Sequence, residues 1–73
     1  MIIMSTLDNN ILKELDKHKL SGYIISVLMS NLKTIDIKNK FLNYLINNRN
    51  IILDKTELIS YLRSELKQWI ILV

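Results

Sequence analysis

The sequence predicts an all-α fold, a compact four-helix bundle in a single domain. Three observations carry that expectation. Apolar residues recur at three- and four-residue steps along most of the chain. A serine, threonine or aspartate stands at the head of each periodic run, where its side-chain oxygen can cap the first helical turn. Glycine occurs once, proline never, and nearly half of the 73 residues are apolar. Neither a disordered tail nor a turn-rich β-sandwich has that composition.

A first helix is expected over about 6–19, with Ser5 three residues before Asp8 in a capping-box spacing. Leu7, Ile11 and Leu15 then follow at four-residue steps, with Leu12 beside them. Lys17, His18 and Lys19 give the last turn the charge sign that a helix C-terminus favours. His18, at the border of the apolar stripe, reads as a helix-end histidine. In Leu20-Ser21-Gly22, either Gly22 ends one helix or Ser21 caps the next. The second helix, about 23–33, is apolar at Tyr23, Ile24, Ile25, Val27, Leu28, Met29 and Leu32. Apolar around most of its circumference, it is expected at the centre of the bundle. A buried strand over 23–29 competes with this reading, but the pattern runs on to Leu32 and favours helix.

Thr34 or Asp36 starts a third helix, about 37–48, with Ile37, Phe41, Tyr44 and Leu45 facing inward and Leu42 and Ile46 on the shoulder. The fourth, about 55–70, is the best specified. Asp54 can cap it, Glu57 completes a capping box, and Leu53 with Leu58 forms a hydrophobic staple. Leu58, Leu62, Leu66, Trp69 and Val73 make its stripe, widened by Ile59 and Ile70. Ile2-Ile3, Ile51-Ile52 and Ile70 to Val73 could instead pair as a minor sheet at one end.

Composition limits function. There is no cysteine and one histidine, so thiolate zinc sites are excluded, and no calcium-loop pattern is present. No metal and no cofactor are expected. The seven carboxylates are dispersed, no hydroxyl sits in a nucleophile motif, and one glycine cannot build a phosphate-cradling loop. The chain is therefore not expected to be an enzyme or to take a small-molecule substrate. No apolar run reaches the length of a membrane span, and Met1 to Met4 is too short for a signal peptide. The fourth helix mixes Lys55, Arg63 and Lys67 with Glu57 and Glu65 rather than being polybasic, so no membrane association is expected either. A cytoplasmic location, in a bacterium or a host cell, follows. Isoleucine, asparagine and lysine abound where alanine and proline are missing. That preference for A/T-rich codons points to a low-GC virus, phage or bacterium.

Nucleic acid is a permitted partner. The net charge is +3, and the second and third helices can be read as a helix-turn-helix. Lys38, Asn39, Lys40 and Asn43 would then face the major groove. The codon bias inflates asparagine, however, and no arginine falls on that face.

The apolar excess says more. A chain this small cannot bury every large aliphatic side chain, and a surplus patch usually marks a protein interface. Leu42, Ile46, Trp69, Ile70 and Leu72 are the expected interface residues. The expected function is a small non-catalytic protein-interaction module, a regulator, inhibitor or adaptor of viral, phage or mobile-element origin. Its partner would be another protein or a second copy of itself, since two-fold dimers are the commonest oligomers. A small dimeric DNA-binding transcription regulator using the third helix is the alternative.

Overall fold

The structure, a computed structural model, describes residues 5–68. Among them run four helices: α1 (Thr6–Asp16), α2 (Gly22–Ser30), α3 (Ile35–Asn47) and α4 (Lys55–Ser64). Each begins on a side-chain cap. Ser5 Oγ accepts from the Asp8 N–H at 3.1 Å and Ser21 Oγ from the Ile24 N–H at 3.3 Å. Thr34 Oγ1, rather than Asp36, accepts from the Ile37 N–H at 3.2 Å, and Asp54 Oδ1 from the Glu57 N–H at 2.8 Å. Each cap satisfies one of the amides a helix start leaves without a partner.

The helix ends come earlier than periodicity suggests. After Asp16 the Lys17 and His18 N–H groups donate to the Glu14 and Leu15 carbonyls, tightening the last turn. Lys19 then takes a left-handed conformation, φ 56°. At the end of α4, Ser64 Oγ donates to the Ser60 carbonyl at 2.7 Å, a back-bond that competes with helix continuation. Lys67 turns left-handed at φ 58°, and the Gln68 N–H closes on the Leu62 carbonyl. Both turns are made by lysines, without glycine. No strand occurs among the described residues. Ile51-Ile52 is irregular loop, and the other two segments of the expected minor sheet lie outside the described residues.

The core gathers Ile11 and Leu15 of α1, Leu28 of α2, Phe41 and Leu45 of α3, and Leu58 and Leu62 of α4, with Leu53 from the preceding loop. Leu53 and Leu58, the expected staple, are both buried. Phe41 is fully enclosed, so Phe41→Ala would cost about 3–5 kcal/mol. Tyr44 of α3 and Tyr61 of α4 stack in parallel, ring centroids 3.7 Å apart. Burial first, then the nearby Glu57 and Glu65 charges respectively, raises both phenols above their ordinary value.

The second helix is not the central one. α1 packs most extensively against α3, and much less against α2. Only Ile24 and Leu28 of α2 are buried, while Tyr23 is half exposed. At nine residues, α2 is too short to present several buried faces. Of its other apolar side chains Tyr23 reaches the surface, while Ile25, Val27 and Met29 are partly buried against the core.

Candidate protein-interaction surface

The loop from Asn48 to Asp54, between α3 and α4, is tied to the first helix by two long-range polar contacts. It begins as a tight turn. The Asn48 side-chain amide donates to the Tyr44 carbonyl, the Arg49 N–H to the Ile46 carbonyl, and the Ile51 N–H to the Asn48 carbonyl. Arg49 then reaches α1, donating from Nε to Glu14 Oε1 at 3.3 Å and from Nη2 to Glu14 Oε2 at 2.8 Å. Lys17 Nζ also donates to Oε2, at 3.0 Å. Burial drives the Glu14 carboxyl upward, but the hydrogen bonds and charges of Lys17 and Arg49 outweigh it and hold the group below its ordinary value.

The far end of the loop is tied to α1's extension. The Leu53 N–H donates to His18 Nδ1 at 3.1 Å, a bond between two buried groups. An imidazole nitrogen that accepts carries no proton, so this bond assigns the ring's hydrogen to Nε2. His18 thus lies beyond the helix end and is almost fully enclosed. It acts as a buried acceptor, not as the helix-end cation expected. Helical spacing held the signal: Ile11, Glu14, Leu15 and His18 fall on one i, i+3, i+4, i+7 stripe.

Between these two anchors the loop leaves Ile51 and Ile52 in solvent, 53% and 61% exposed, with Ile46 beside the turn at 38%. Next to Ile52 opens a hollow of about 400 Å³. It is walled by Leu20, Ile24, Ile52 and Leu53, reaches His18, and is flanked by Lys19 and Lys55. In comparisons with protein-family models, curated proteins and solved structures, the chain matches none of them.

Of the expected interface residues, Ile46 is exposed and Leu42 is half-buried against the core. Trp69, Ile70 and Leu72 lie outside the described residues. Ile35 and Tyr23 are exposed as well, at 71% and 54%, although neither was expected to be. Ile35 follows the Thr34 cap directly, a first-turn position that faces away from the core. On the expected nucleic-acid face Asn39 and Asn43 are exposed, but both lysines are paired. Lys38 Nζ lies 2.9 Å from Asp8 Oδ1, and Lys40 Nζ lies 3.3 Å from Asp36 Oδ2. The Lys38 hydrogen bond is the main reason the Asp8 carboxyl sits below its ordinary value. Among the described residues, no cluster of three His, Asp or Glu side chains could hold a metal ion. No described helix is long and apolar enough to cross a membrane.

Proposed function

We propose that the protein is a small non-catalytic interaction module that presents the corner of Ile46, Ile51 and Ile52 to another protein surface, its own second copy included. One observation carries this reading: two exposed isoleucines sit on a loop tied to α1 at both ends, by Glu14–Arg49 and by His18–Leu53. Exposed aliphatic residues are ordinary when scattered. A fixed apolar corner differs, because binding through it forfeits little loop entropy. The A/T-rich codon preference supports a source in a low-GC virus, phage or mobile element.

A photo-crosslinking residue at position 52, compared with one at position 35, tests this in the cells the gene comes from. The proposal predicts one discrete adduct from position 52, at twice the chain's mass or with another protein, and none from position 35. Equal adduct yields from the two positions would contradict it.

The second reading, a dimeric DNA-binding regulator, draws on Asn39 and Asn43, exposed one turn apart on α3. Its lysines give it less, since each already faces a carboxylate. A Lys38→Gln/Lys40→Gln variant separates the two. Lost DNA affinity with a flatter salt dependence would favour the regulator; unchanged crosslinking at position 52 favours the module.

A further inference from the structure

We infer that the hollow beside Ile52 receives an acidic, aliphatic segment of the partner protein, one aliphatic side chain entering it and flanking carboxylates meeting Lys19 and Lys55. This deepens the interaction-module reading and rests on it. The walls are apolar, from Leu20, Ile24, Ile52 and Leu53. The rim is positive for two independent reasons. Lys19 and Lys55 are exposed and enter none of the protein's ion pairs among the described residues. In addition, the caps of α2 and α4, Ser21 and Asp54, both stand at the hollow, so the positive ends of two helix dipoles converge there.

The single acidic side chain on the rim, Asp54, caps α4 through the Glu57 N–H and keeps its negative charge, leaving the rim with two lysines against one carboxylate. The third observation is His18. Its ring forms part of the hollow's lining, it is 2% exposed, and Nε2 has no hydrogen-bond partner. With Nδ1 occupied by Leu53 and Nε2 itself shut off from solvent, His18 offers an entering aliphatic side chain a ring wall rather than a free donor.

The test is an NMR titration of the full chain with the probe peptide acetyl-Glu-Glu-Leu-Ile-Glu-Glu-amide. We expect amide shifts at Leu20, Ile24, Leu53 and Lys55, a shift of the His18 ring resonances, and a dissociation constant of about 1 mM or tighter. Affinity should fall about tenfold with glutamine in place of the peptide's glutamates, and equally in a Lys19→Gln/Lys55→Gln variant. Added salt should weaken it further. No shift at the hollow at several times that concentration would overturn the inference. So would equal binding of the glutamine peptide, or of an oligonucleotide of the same charge, which would make the site a plain apolar or plain anion site. The two proposals fail separately. If Ile51→Ser/Ile52→Ser abolishes the position-35-controlled adducts formed from a crosslinker at position 46 while Lys19→Gln/Lys55→Gln leaves them intact, this inference falls and the interaction module stands.

Discussion

Ile35 and the pair Ile51-Ile52 are all exposed aliphatic residues next to a helix start, yet they are held in different ways. Ile35 follows a short loop whose side-chain hydrogen bonds are local, with Leu32 as its one buried core residue. Asn31 donates from its side chain to the Val27 carbonyl, and Thr34 caps α3. Ile51 and Ile52 sit on a loop tied to residues 35 positions away, at Glu14 and His18. One loop connects two helices; the other is also a fixed platform. Exposure alone therefore does not single out a docking residue. The long-range polar anchors beneath it do.

Removing the anchors is the strongest way to break this contrast. His18→Ala takes away both a buried ring and the acceptor for a buried amide. We predict a loss of about 3 kcal/mol in denaturant unfolding, together with faster exchange of the Leu53 amide. Arg49→Met should cost less, about 2 kcal/mol, because the guanidinium is half exposed and partly screened while Lys17 still serves Glu14. A stability loss below about 0.5 kcal/mol would show that the Arg49 tie is ornamental.

The Glu14 contribution also has a defined pH dependence. Its folded-state carboxyl is held below the ordinary 4.5, so on acidification protons bind the unfolded chain first. The stabilisation is complete above about pH 4.5 and is lost as the pH falls through the lower folded value. The stability gap between the wild-type chain and Glu14→Gln, followed by denaturant titration, should therefore narrow only in that acid window. A gap that stayed constant to low pH would show that the carboxylate charge contributes nothing.

Changes on the other loop should be smaller and should leave the platform alone. Thr34→Ala removes one cap, and about 1 kcal/mol is expected, with the Leu53 amide exchanging at an unchanged rate relative to global unfolding. Ile35→Ser should change stability by less than about 0.5 kcal/mol and leave crosslinking at position 52 untouched. If it abolished that adduct, the two exposed sites would belong to one surface and the contrast would fail.

The helix starts were legible because a cap is a local signal: Ser5, Ser21, Thr34 and Asp54 act within three residues of themselves. The ends were not, since Lys19 and Lys67 adopt left-handed conformations without the glycine that usually announces them. The all-round apolar pattern of α2 suggested a central helix, but pattern reports what could be buried and not which helix has neighbours on every side. At the candidate surface, Ile46 stood out as apolar surplus, whereas Ile51 and Ile52 had the pattern of a short strand. What fixes them did not stand out, because a bond across 35 residues depends on how α1 meets the loop. Glu14 and His18 on α1's apolar stripe were the one trace of it in the sequence.

Amide hydrogen exchange at Leu53, set against Asn31 at the end of α2, tests the platform most directly. Both N–H groups are hydrogen-bonded, Leu53 to His18 Nδ1 and Asn31 to the Leu28 carbonyl. The account predicts that Leu53 exchanges only through near-global unfolding, like the core amides of α3, while Asn31 exchanges through local fraying. If Leu53 exchanged as readily as Asn31, the loop carrying Ile51 and Ile52 would not be a fixed platform, and the central claim would be wrong.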